Sequence, residues 1–191
     1  EQEASTALQP AHAEVQAEVQ AAPVKHVDET SWKQAGRKCW LWVAATSRVA
    51  AFVIHCKRSC LGLATLLGNT IHGILCSDRW SVYDLWPLLQ RQVCWAHLKR
   101  DFQKCVDRGG AALAIGQAGL RIVAKVFEAW HLFRGGGLTR RQLQRRLDPH
   151  ARHLHQVLDA GCACADTKAA NFCANLIALE PALWQFVVSD G

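Results

Sequence analysis

Hydrophobic and polar positions divide the chain into a strand-like first half and a helical second half. Residues 4–21 are rich in Ala, Glu and Gln, with Leu8, Val15 and Val19 near helical spacing. This predicts a helix with a thin apolar stripe, ended at Pro23 and in need of a neighbour to pack on. From Val24 the period changes. VKHVDETSW, KCWLWVAAT and VAAFVIH are apolar runs of strand length, dominated by Trp, Val, Ile and Phe and joined by a tight turn around Gly36 and a second short turn. Links this short make the three strands antiparallel neighbours. CLGLATLLG then reads as a short helix closed by Gly68, and IHGILCSD as a fourth strand reached through it. Such a crossover makes the fourth strand parallel to an earlier one.

Further on, WSVYDLWPLL predicts a helix broken near Pro87, RQVCW a short fifth strand, and HLKRDFQKCVD the start of another helix. The remainder reads as helices. An apolar period runs over 111–133 through Leu113, Leu120, Val123, Phe127 and Trp130, followed by a flexible break at Gly135, Gly136 and Gly137. A basic helix within 139–159 is expected to be interrupted at Pro149. Asp166 is placed to cap a helix running to about Leu179, and Pro181 suits the first turn of a last short helix, ALWQFV.

Composition narrows the picture. A chain of 191 residues holds one sizeable domain, or one domain with an appendage. Half of its residues are hydrophobic, which argues against wholesale disorder. The net charge of +6 favours an anionic partner without naming it. The nine cysteines are scattered and odd in number, and no signal peptide is visible. No apolar run reaches the roughly 18 residues of a membrane span. These features speak for reduced thiols over a disulfide scaffold, with Cys39, Cys56 and Cys76 in strand runs behaving as small buried hydrophobes. The chain starts at Glu1 and contains no Met, so it reads as a piece of a longer protein.

The element order β-β-β-α-β-α-β-α is that of the ribonuclease H-like fold, in which the first and fourth strands lie side by side and parallel. The expected class is α/β: a five-stranded mixed sheet with flanking helices, followed by a mainly helical insertion. Asp28 in the first strand and Asp78 at the end of the fourth would then meet at one edge of the crevice. Two hard carboxylates suit Mg²⁺ or Mn²⁺, which take oxygen ligands and keep open positions for phosphate and water.

HVDETSW, the SD before RWSVY, and CWAHLKRDF resemble the transposases of the insertion sequence 66 family, and the resemblance extends over almost the whole chain, from the leading helix to the closing ALWQFVVSDG. That family consists of DDE enzymes with a ribonuclease H-like core. The resemblance implies that Asp28 and Asp78 are the first two catalytic acids and metal ligands. A third acid would come from a Glu in a segment like P-T-N-N-x-A-E-R, expected to begin just after Gly191. Arg79 stands where the family pattern has a small residue, and a cation there is a candidate either to contact phosphate or to compete with the metal. The implied organisation is a flanking helix (1–23), the first part of the catalytic core (24–108) and a helical insertion (109–191). The implied activity is cleavage and transfer of DNA strands at the ends of a bacterial insertion sequence, a mobile element, with two ions of Mg²⁺ or Mn²⁺. The implied partners are DNA and further copies of the chain, with no membrane, and the implied location is the nucleoid-associated cytoplasm. The competing reading is a truncated, non-catalytic DNA-binding or assembly remnant. A nuclease of the same fold fits the flanking words less well.

Blander assignments compete at several positions. Glu29 alternates to the opposite strand face from Asp28 and reads as structural, and Tyr83 as packing. Cys94 and His97 have the C-x-x-H spacing of half a zinc site, with Cys162 and Cys164 as conceivable partners, but a buried thiol beside a hydrogen-bonded His is preferred. Arg141 and Arg145, in a run with Arg134, Arg140, Arg146 and Arg152, are candidates for the DNA backbone against a solvated helix face. Trp40, Trp42 and Trp130 read as core residues before base-stacking platforms.

Overall fold

Ala35 and Gly36 reverse the chain in two residues. Both have positive φ, 49° and 76°, as a type I′ hairpin turn requires, and Gly36 adopts it without a steric penalty. The turn sets Gln34 opposite Arg37 and fixes the register of the two longest strands, β1 (Val24–Gln34) and β2 (Arg37–Ala45). The computed structural model describes residues 2–189, so Asp190 and Gly191 at the end of the ALWQFVVSDG word lie outside it. Two compact units divide the chain, one ending at Gln92 and the other beginning at Val93.

In the first unit, helix α1 (Gln2–Ala21) precedes β1 and β2, then come β3 (Ala50–His55), helix α2 (Cys60–Leu67), β4 (Ile74–Ser77) and β5 (Arg91–Val93). The strands form one mixed sheet in the order β3-β2-β1-β4-β5. Strands β1, β2 and β3 pair antiparallel, while β1 and β4 pair parallel through Val24↔Ile74, Lys25↔Leu75 and His26↔Cys76. This is the ribonuclease H-like sheet expected from the sequence. Period-two alternation sends Val27, Trp42, Ala44, Ala51 and Leu75 to one face, where Val19 of α1 and Leu63, Leu66 and Leu67 of α2 close the core over them. Lys25 lies on this face as well and is 1% exposed. Its ammonium donates to the carbonyl oxygens of Gln20 (2.8 Å) and His72 (2.7 Å), and burial pulls its pKa down. A cation at the last turn of α1 also complements that helix end.

Several sequence expectations change here. Leu8 is exposed, and only Val15 and Val19 of the α1 stripe reach the core. Cys56 follows β3 and is exposed, unlike the buried Cys39 and Cys76. WSVYDLWPLL forms two 3₁₀ segments, Ser81–Leu85 and Leu88–Gln90, rather than an α-helix. Trp80, Tyr83 and Trp86 recur every three residues, the period of a 3₁₀ turn, and all three pack on the core.

The second unit is helical: α3 (Trp95–Arg108), α4 (Leu113–Arg134), α5 (Arg140–Cys162), α6 (Thr167–Ala178), α7 (Glu180–Leu183) and α8 (Gln185–Val188). Helix α4 buries Ile115, Ala118, Ile122, Val123, Val126 and Ala129, a stripe rotated from the large residues that suggested its period. Leu113 is exposed, and Leu120, Phe127 and Trp130 are half-buried. Gly116 and Gly119 explain the shift: a Cβ at either would collide with α3 at Phe102 or Val106, so the closest helix–helix approach runs along small residues. The segment Gly110–Arg134 is long and apolar enough to cross a membrane, yet its apolar side packs on α3 and α5 within this unit. The three glycines after α4 form an ordered Schellman cap, not a flexible break: Gly136 N donates to Phe133 O and Gly137 N to Leu132 O. Helix α5 starts in a capping box at Thr139 and runs unbroken through Pro149. Leu143, Leu147, Leu154 and Leu158 bury one side across the proline, and this packing outweighs the lost backbone bond. Asp166 caps α6 as expected, accepting from Ala169 N at 2.9 Å.

Helix α2 rests directly on Trp42, since a Cβ at Gly62 would lie 2.5 Å from the indole. Gly62→Ala is therefore expected to destabilise the chain by about 1–3 kcal/mol. Circular dichroism melting would show a midpoint lowered by about 2–4 °C for each kcal/mol; an unchanged midpoint would mean that Trp42 yields freely.

Candidate metal site and its supports

The parallel ladder of β1 and β4 ends at His26↔Cys76. Asp28 stands two residues beyond this last pair on β1, and Asp78 two residues beyond it on the other chain segment, just past the end of β4. Asp28 is exposed and Asp78 is half-buried, immediately beyond the last residue of β4. Asp28 Oδ1 accepts from Glu29 N at 3.0 Å. Asp78 Oδ1 accepts from Trp80 N at 2.8 Å, an Asx-type turn that bends the chain off the sheet, while Ser77 Oγ donates to the Asp78 carbonyl at 3.0 Å.

Glu29, on the opposite face, is tied into the core. Its side chain is 1% exposed. Oε1 accepts from Arg58 Nε (2.8 Å) and Nη2 (2.5 Å), and Oε2 from the Tyr83 hydroxyl at 2.6 Å. The Arg58 guanidinium lies 4.1 Å from the ring centroid of Trp80 and 5.2 Å from that of Trp40. Trp80 in turn packs on Trp42 and meets Tyr83 edge-on, each with ring centroids 6.0 Å apart. The residue after Asp28 is thus connected, through one cation and one phenol, to the residue whose N–H holds Asp78. The sequence assigned Glu29 and Tyr83 to structure and packing, but nothing in the linear pattern pairs them with each other or with Arg58.

Burial, the bond to Glu29 and the charges of Glu29, Asp78 and Asp28 together hold the Tyr83 phenol far above its ordinary value near 10. Both candidate ligands therefore act on the same buried hydroxyl.

Arg79 is half-buried in the turn after Asp78. Arg141 and Arg145 are exposed one turn apart on α5, in the other unit. Arg140 instead donates to the carbonyls of Phe186 (2.8 Å) and Val187 (3.2 Å), and Arg146 to Glu128 at 2.5 Å. Trp42 is fully buried, and Trp40 carries Arg58 and Lys38 on its ring. Cys94 is the N-cap of α3 and His97 lies in its first turn, whereas Cys162 ends α5. Among the described residues no three His, Cys, Asp or Glu side chains gather as a metal-holding group. Glu128 is engaged by Lys125 and Arg146, which draw its pKa down, and Glu180 by His155 at 2.9 Å.

Asp28 on β1 and Asp78 just past the end of the parallel strand β4 carry hard oxygen donors, a type suited to Mg²⁺ or Mn²⁺ and poor for softer ions. The profile described as Transposase IS66 family matches residues 1–191. The chain belongs to the IS66 transposase family. No curated protein and no solved structure matches it. Membership makes this chain a domain of a DNA transposase.

The elevated Tyr83 pKa fixes the sign of an alkaline effect. The folded phenol keeps its proton where the unfolded one ionises, so its stabilising contribution is complete below pH 10 and is lost as pH rises beyond it. Tyr83 is the single tyrosine of the chain, so phenolate absorbance reports it alone. That absorbance is expected to appear together with unfolding, well above pH 10, and near pH 10 only in denaturant. Ionisation near 10 in the folded chain would contradict the buried Glu29 bond.

Proposed function

We propose that this transposase domain carries out metal-dependent phosphoryl transfer on DNA, cutting and joining strands at the ends of an insertion sequence, with Asp28 and Asp78 as metal ligands. What supports this reading is the parallel β1–β4 ladder of a ribonuclease H-like sheet, whose last pair, His26 and Cys76, comes two residues before Asp28 and Asp78, in a chain of the IS66 transposase family. Divalent ions bound there would supply activation of a water or 3′-hydroxyl nucleophile and stabilisation of the leaving oxygen. The chain's own residues do the rest. Asp28 and Asp78 hold the ions, and their backbone bonds limit how far each carboxylate turns. The Glu29–Arg58–Tyr83 network keeps β1 and the Asp78 turn in place. Arg79, next to Asp78, meets a phosphate of the reacting strand, while Arg141 and Arg145 follow the DNA backbone elsewhere. Assembly of several copies around the DNA ends, in the nucleoid-associated cytoplasm, belongs to the same reading.

A non-catalytic DNA-binding or assembly role is the second reading. What favours it is that no third carboxylate joins Asp28 and Asp78 among the described residues.

Mn²⁺ binding separates the two. Calorimetry on the chain is expected to show weak, saturable binding that falls at least about tenfold in Asp28→Asn and in Asp78→Asn, the scale on which loss of a ligand or its support changes metal affinity. Binding indifferent to both substitutions would remove the shared site and leave the second reading.

For the helical unit, Arg141→Glu with Arg145→Glu is expected to weaken duplex binding and flatten the dependence of log K on log salt by about two, at about 0.9 per phosphate contact. An unchanged slope would return these arginines to the role of solvated helix face.

A further inference from the structure

Strands β1 and β2 extend beyond the rest of the sheet. Pairing of β1 with β4 stops at His26, and pairing of β2 with β3 starts at Trp40, so among the described residues 31–39 pair as strands with no partner but each other, across the Ala35–Gly36 turn, and form a two-stranded arm. Every residue from Thr30 to Lys38 is exposed. The arm spans roughly 15 Å from Ser31 to the turn at about 3.4 Å per residue. An arm of this kind has little core to stabilise it.

Its charges are not those of a plain solvated edge. Lys33, Arg37 and Lys38 lie on it, and no acid occurs between Thr30 and Leu41. Lys33 stands directly opposite Lys38, a like-charge pair that costs the hairpin stability. Among the described residues no carboxylate pairs with Lys33, Arg37 or Lys38, whereas Arg48, Arg58 and Arg91 of the same unit pair with Glu18, Glu29 and Asp84. The alternation places Lys33 and Lys38 on one face of the ribbon and Gln34 and Arg37 on the other. Cations therefore leave both faces. Thr30, Ser31 and Gln34 add hydrogen-bonding groups along the strands, and Trp32, 44% exposed, adds an apolar ring.

We infer that the β1–β2 ribbon is a duplex-DNA arm, entering a groove with Lys33, Lys38 and Arg37 reaching the phosphates on its two walls. The major groove, about 12 Å wide and about 8.5 Å deep, admits a two-stranded ribbon, and cations on both ribbon faces match a groove with phosphates on both sides. The repulsion between Lys33 and Lys38 is relieved when phosphates neutralise them. The inference rests on the transposase reading for the identity of the polyanion. It also ties the arm to the candidate site, since Asp28 lies on the same strand three residues before Ser31.

The test measures fluorescence anisotropy of a labelled duplex with the whole chain, from roughly 50 to roughly 200 mM salt. The variant Lys33→Glu/Arg37→Glu/Lys38→Glu is expected to bind at least about tenfold more weakly at the lower salt and to flatten the log K against log salt slope by about two to three, at about 0.9 per contact. Lys33→Gln/Lys38→Gln removes the like-charge pair without introducing acids, keeps the fold by circular dichroism, and should flatten the slope by about two. An unchanged slope in this second variant overturns the inference, as does a parent chain that fails to bind duplex. It is likewise overturned if both variants lose binding to phosphatidylserine vesicles while duplex binding stays intact. Mn²⁺ binding is measured on the same variants. Both arm variants should bind Mn²⁺ like the parent, whereas loss of the metal effect of Asp28→Asn would strike that reading and leave the arm standing.

Discussion

Everything in the sheet unit depends on a three-residue parallel ladder, Val24–His26 against Ile74–Cys76. Parallel neighbours need a crossover, and α2 with its flanking loops is that crossover. The ladder makes β1 the central strand and pairs His26 with Cys76 across a chain separation of fifty residues, two residues before Asp28 and Asp78. A slip of one residue in either strand would send one carboxylate to the opposite face of the sheet. Register here is pinned by burial: Val27, Leu75 and the shaft of Lys25 all sit under α1 and α2, so a slipped strand would expose them.

On that same face the core accepts an ionised network. Removing Glu29 from water is costly, and the cost is offset only because both carboxylate oxygens are satisfied by Arg58 and Tyr83. The arrangement constrains more than it stabilises. Arg58 sits between the rings of Trp40 and Trp80, one on β2 and the other in the turn that holds Asp78, so a shift of either element strains the same guanidinium. A polar network under a candidate metal site supplies rigidity of the kind that a charged, exposed pair of carboxylates lacks by itself.

The helical unit achieves its packing differently. Close approach of α3 and α4 depends on glycines, and α5 tolerates an internal proline because four leucines on one side hold its two halves in line. Its cations divide into those spent on ion pairs and carbonyls, such as Arg140 and Arg146, and those left at the surface, such as Arg141 and Arg145.

Local chemistry determined a great deal from the sequence alone. Alternating apolar runs and short links dictated three antiparallel strands, and Gly36 and Gly68 marked the ends of elements. Asp166 announced a helix cap, and the order of elements brought β4 beside β1. These are short-range or topological constraints, readable from neighbours along the chain. Tertiary structure decided the rest. The buried stripe of α4 follows its small residues, because the closest helix contact excludes side chains rather than recruiting large ones. The WSVYDLWPLL segment became 3₁₀ because three aromatic rings, spaced by three, had one surface to cover. Glu29 read as structural on the face opposite Asp28, but its burial and its bonds depend on partners that arrive from positions 58 and 83. Such partnerships leave no periodic trace in the sequence: they arise only when distant segments meet in space, where an unpaired buried charge costs more than the chain can bear.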